Sequence, residues 1–148
     1  MKKGGINMLS IKKHYPTFDI DITLTAQITV VMGDSGAGKT LLYNMIPSIV
    51  NGVKVYRYNG TNPNDSIIRD IESLTNVLII LDRIEYLFTE PLGDELRQAI
   101  NNSSNTFLLF GRNTTGLNME LKDIKKLVFV NSTLKLEDIF KTPAQDVL

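Results

Sequence analysis

Eight consecutive residues, Gly33-Asp34-Ser35-Gly36-Ala37-Gly38-Lys39-Thr40, have the composition and spacing of an anion cradle. They fit the pattern G-x-x-x-x-G-K-[ST] in full. Glycines at 33, 36 and 38 permit unusual backbone angles and let the main chain come close to a phosphate. Successive N–H groups can then converge on the anion. The positive end of the helix that follows adds its dipole. Lys39 supplies a cation for outer phosphates, and the Thr40 hydroxyl supplies an oxygen suited to Mg²⁺. The implied ligand is a nucleoside triphosphate with its Mg²⁺. The alternative is a glycine-rich turn with a chance lysine, which the complete motif disfavours.

A second acid can serve the same cation. Leu78-Ile79-Ile80-Leu81-Asp82 reads as a buried strand ending in a carboxylate. Mg²⁺ keeps several waters and needs few protein oxygens, so Thr40 and Asp82 suffice as its metal ligands. Hydrolysis also needs a group that orients or activates water. Arg83 follows Asp82 directly, and the nearest acid is Glu85. A helix starting at Asp82 would turn Glu85 toward the same site; otherwise it is a solvated surface carboxylate. Glu90 is a weaker candidate. Arg83 and Arg112 can stabilise developing phosphate charge, or form surface salt bridges. The candidate catalytic set is Lys39, Glu85 and Arg112.

These residues require elements to position them. Residues 9–14 and 18–24 are predicted strands joined at His14-Tyr15-Pro16-Thr17, an antiparallel hairpin. Residues 28–32, 53–58, 77–81, 106–110 and 127–130 are predicted strands. Helices are predicted over 40–50, 66–74 and 91–101, with a short one near 136–140. The first carries Leu41, Leu42, Met45, Ile46 and Ile49 at helical spacing. Alternating strands and helices predict a mostly parallel five-stranded sheet in a three-layer α/β core, with the hairpin added at the N-terminus. Strand C-termini then share one edge, where ligands bind. The glycine loop, Asp82 and Arg112 each follow a strand.

The two motifs together resemble the P-loop NTPase superfamily, with Gly33–Thr40 as its Walker A loop and Asp82 as its Walker B acid. Element order extends the likeness along nearly the whole chain, but only these two short motifs are specific. The strand at 106–110 resembles the one inserted in the ABC/RecA/AAA branch, and Arg112-Asn113 then resembles its polar sensor. The hairpin resembles the antiparallel part of ABC domains, where an aromatic stacks on the base. Tyr15 is the equivalent, or it packs only in the hairpin turn. There are also departures. No ABC signature, Gln loop or switch histidine is found, since the only histidine is His14. A helical lid is missing, and Arg83 stands where a catalytic Glu is common. The N-K-x-D base-reading motif of GTPases is absent, which favours ATP.

Bulk properties limit the rest. The 148 residues fit one domain, residues 1–148, with 1–7 as a polar leader and Met8 as a possible start. Sixteen basic and sixteen acidic residues balance to a formal charge of zero, so nothing points to nucleic acid. Lys122, Lys125, Lys126 and Lys135 are interleaved with acids and read as a solvated face. No cysteine is present, which excludes disulfides, thiolate zinc sites and a cysteine nucleophile. The longest apolar run, 77–81, is too short to span a bilayer. A cytoplasmic protein is expected. Three functions fit: a small ATPase or ATP-driven switch completed by a protein partner or a homo-oligomer, a P-loop kinase, or a nucleotide-binding module without turnover. The Gly-Asp-Ser-Gly start of the loop resembles bacterial HPr kinase. Against a kinase, the five arginines at 57, 69, 83, 97 and 112 do not cluster into a lid.

Overall fold

In the computed structural model, residues 9–33, 39–112 and 124–139 are described. The leader 1–7, loop residues Asp34 to Gly38, Asn113 and Lys122 lie outside them. Eight strands are β1 (Leu9–His14), β2 (Asp19–Leu24), β3 (Ile28–Met32), β4 (Lys54–Arg57), β5 (Leu78–Asp82), β6 (Thr106–Gly111), β7 (Ile124–Val130) and β8 (Thr133–Asp138). Four helices are α1 (Lys39–Ile49), α2 (Asn64–Ser73), α3 (Ile84–Leu87) and α4 (Gly93–Asn101).

All eight strands join one curled, mixed sheet in the order β1-β2-β8-β7-β3-β6-β5-β4. This corrects the expected mostly parallel five-stranded, three-layer core with a separate hairpin. The strands from β7 through β3, β6 and β5 to β4 pair in parallel. The antiparallel β1–β2 pair is continuous with them through β8, which pairs parallel to β2 and antiparallel to β7. The expected helix at 136–140 is therefore wrong, because Thr133–Asp138 is strand β8. Leu134 and Leu136 point one way and Lys135 and Glu137 the other, a two-residue period that suits a strand.

Burial explains the curl. Alternate strand residues feed two cores. Val31, Leu78, Ile80, Leu108 and Phe110 pack with Leu42, Tyr43 and Ile46 of α1. Val30, Ile79, Leu81, Phe107 and Leu109 pack with Ile67, Ile71, Leu96 and Ile100 of α2 and α4. Ile11, Ile20, Ile22, Leu24 and Leu134 also join the α1 core. Among the described residues α1 is the single helix on that face, so β1, β2 and β8 bend round it to bury their apolar sides. The helical stripe is displaced from expectation, with Leu41 exposed and Tyr43 buried.

Strand β6 lies between β3 and β5, the place that the resemblance to the ABC/RecA/AAA branch implies for an inserted strand. Being parallel, the three strands end on one edge, at Gly33, Asp82 and Gly111.

Candidate functional site

That edge carries a cleft of about 180 Å³ lined by Lys39, Thr40, Tyr43, Asp82, Arg83, Glu85, Tyr86, Gly111 and Arg112. Five of these form the expected catalytic and metal set, Lys39, Thr40, Asp82, Glu85 and Arg112, and Arg83 was named beside Arg112. The five come from α1, β5, α3 and the end of β6, so the fold gathers groups as much as 73 residues apart in the chain, from Lys39 to Arg112.

Strand β3 leads into the loop through Gly33, whose φ of 155° suits glycine. Its N–H donates to Gly111 O at 3.1 Å, which ties the loop to β6. Lys39 opens α1, is almost buried, and its Nζ donates to Gly33 O. The ammonium is thus held over the end of β3. Thr40 follows and is exposed at the mouth.

Asp82 ends β5 with only 8% of its surface exposed. Both of its oxygens are occupied by donors. Arg83 N–H donates to Oδ1 at 2.9 Å, and the Tyr43 hydroxyl donates to Oδ2 at 3.0 Å. Thr40 Oγ1 lies 3.4 Å from the same hydroxyl. The two expected cation ligands therefore share one neighbouring oxygen. Their all-oxygen chemistry fits a hard divalent cation that completes its shell with phosphate and water. Among the described residues no three His, Cys, Asp or Glu side chains group as a metal cage.

Arg83 takes a left-handed backbone, φ 57°, and directs the chain straight into α3. Such a conformation in a non-glycine residue is costly and must be held by its surroundings; here the Arg83 N–H bond to Asp82 and the burial of Ile84 and Leu87 hold it. The turn brings Glu85 to the cleft, half-buried, instead of leaving it on the open surface. Its Oε1 accepts the Arg112 N–H at 3.3 Å. Gly111 permits this approach. A Cβ there would stand 2.8 Å from Ile84 Cγ1 and 2.9 Å from Glu85 Oε1. Glu90 is directed elsewhere, accepting from the Tyr58 hydroxyl at 3.1 Å; that bond, with burial, pushes the Tyr58 phenol pKa upward. Tyr58 stacks on Tyr86, with ring centroids 5.0 Å apart.

Tyr15 does not line the cleft. It is half-buried and stacks on Phe18 at 5.0 Å, within the β1–β2 turn. Asp34, Ser35, Gly36, Ala37 and Gly38 lie outside the described residues. Tyr43 was missed by the sequence reading. A signal existed: it stands four residues after Lys39, on the same side of α1.

No family model matches the chain, and no curated protein matches it. Among those described, no helix is long and apolar enough to cross a membrane.

Proposed function

We propose that this chain binds ATP with Mg²⁺ in the cleft at Lys39, Thr40 and Asp82, and acts as a small ATPase or ATP-driven switch. The supporting observation is convergence: a cation, two cation ligands, an acid and an arginine from four separate elements line one cleft beside a complete phosphate-loop sequence. The reading also draws on the resemblance to P-loop NTPases. Gly33 to Thr40 would hold the phosphates, and Thr40 and Asp82 would hold the cation. Bound Mg²⁺ would neutralise phosphate charge. Lys39, almost buried, would meet the phosphates with little competition from solvent. Glu85 would take up or orient a water, and Arg112 would meet charge on the terminal phosphate. The missing base-reading motif favours ATP over GTP.

Glu85 already accepts one hydrogen bond, and Arg83 follows Asp82. These two facts favour slow turnover, with a protein partner or a second copy completing the site. They equally favour a module that binds without turnover.

The test is thermal shift and phosphate release with ATP, GTP and ADP in Mg²⁺. Saturating ATP is expected to raise the melting temperature by about 5–10 °C. Lys39→Ala should weaken ATP binding by about tenfold to a hundredfold, since a hydrogen bond to a charged group contributes about 1.5–3 kcal/mol. Nucleotide-insensitive melting would sink the proposal. Glu85→Gln separates the two readings: it should abolish turnover while sparing binding if Glu85 acts on water.

A further inference from the structure

The Tyr43 hydroxyl sits where the expected cation ligands meet, and its ring is held from two sides. Phe110 meets it edge-on at 5.6 Å, and the Arg57 guanidinium lies 4.2 Å from its centroid. Arg57 is in turn tied to Asn44 Oδ1 and stands opposite Asp82 in the β4–β5 register. With 7% exposure the ring has little room to swing. The hydroxyl has one proton. An ionised Asp82 can only accept, so that proton goes to Asp82 Oδ2. In the 3.4 Å contact with Thr40 the donor is then the Thr40 hydroxyl. One oxygen thereby orients both groups: Thr40 points its proton at Tyr43 and keeps its lone pairs, and Asp82 is fixed between Tyr43 and the Arg83 N–H.

We propose that Tyr43 is a positioning residue for the divalent cation, setting the orientation of Thr40 and Asp82 before the cation arrives. The inference rests on the Mg²⁺–ATP reading of the cleft. Groups that orient metal ligands typically contribute about tenfold to a hundredfold in metal affinity. Phenylalanine at 43 preserves the ring and its contacts with Phe110 and Arg57, and removes only the hydroxyl.

The experiment measures ATP binding to the full chain by calorimetry, in EDTA and across a Mg²⁺ series. In Tyr43→Phe the Mg²⁺ midpoint should rise by about tenfold, with ATP affinity in EDTA unchanged and the ligand-free melting temperature lowered by about 5–10 °C. In an Asp82→Asn background the same substitution should add a clearly smaller change, because the path through Asp82 is weakened and the one through Thr40 remains. An unchanged or lower midpoint in Tyr43→Phe overturns the proposal. So does an equal loss in EDTA and in Mg²⁺, which marks a merely structural hydroxyl, or a full shift in the Asp82→Asn background. If the wild type binds ATP with no Mg²⁺ dependence, the cation reading falls and takes this one with it. A normal wild-type dependence with an unshifted variant removes only Tyr43.

Discussion

The two ends of strands β3, β5 and β6 treat polar groups in opposite ways. At the N-terminal ends, polar side chains close on one another. Asn105, fully buried, accepts from Val77 N–H and donates to Leu74 O, Ile71 O and Ser103 Oγ. Gln27 Nε2 donates to Ser103 O and Asn105 O, tying β3 to the same knot. At the C-terminal ends, Lys39, Thr40, Asp82 and Glu85 line a cleft. Buried polar groups satisfied within the chain stabilise a fold. Polar groups converging on a cleft are the usual lining of a ligand site, and this is what the proposed function draws on.

The comparison breaks if substitutions at the closed end change binding more than folding, or the reverse at the open end. The largest effect is expected from Asn105→Ala. It leaves the Val77 N–H and at least one of the Leu74 and Ile71 carbonyls without a partner, at a cost of about 3 kcal/mol. Urea unfolding should show that loss, while the folded fraction should bind ATP with wild-type affinity. Gly111→Ala should come next. Its new methyl must displace Ile84 or Glu85, costing about 2 kcal/mol by overpacking. Unlike Asn105→Ala, it should also depress turnover, because it moves Glu85. A variant that lost stability but kept full turnover would remove Glu85 from the mechanism. Arg112→Ala probes the other side of that contact. Glu85 is held by the Arg112 backbone N–H, which alanine keeps. Stability should therefore stay within about 0.5 kcal/mol, and any fall in turnover reports the guanidinium alone.

The open end was legible from the sequence because its chemistry is carried by residue types at fixed local spacing. Lys39 and Thr40 belong to one contiguous motif, and Asp82 ends the most apolar strand. The place of β6 between β3 and β5 came from the family resemblance, not from any local pattern. Tyr43 was not found, since its role arises from a strand 39 residues away. Asn105 was hidden for the same reason: its partners lie in α2, the loops after it and the start of β5, and an asparagine before a strand reads as ordinary turn chemistry. The sheet's full extent was misjudged at β8. Thr133–Asp138 is short, carries three charges, and pairs with both β7 and β2, which no local pattern reveals. Glu85 could be stated only as two alternatives, because the left-handed Arg83 that turns it inward has no sequence mark; arginine rarely adopts that conformation.

Between the two ends, within β3, lies a group that belongs to neither pattern. Thr29 is 1% exposed, and its Oγ1 has no hydrogen-bond partner among the described residues. Its neighbours along the strand, Val30 and Val31, are buried and apolar. A hydroxyl desolvated without a partner costs stability, whereas valine has nearly the same shape and no such group. Thr29→Val is therefore expected to stabilise the fold by about 1 kcal/mol, raising the melting temperature by about 3 °C. The methyl gained replaces a hydroxyl in the same volume, so no overpacking opposes it. ATP affinity and its Mg²⁺ dependence should stay at wild-type values, because the residue stands three positions short of the strand end. A loss of stability would mean that the hydroxyl does find a partner in solution, and the middle of β3 would then belong with the closed end.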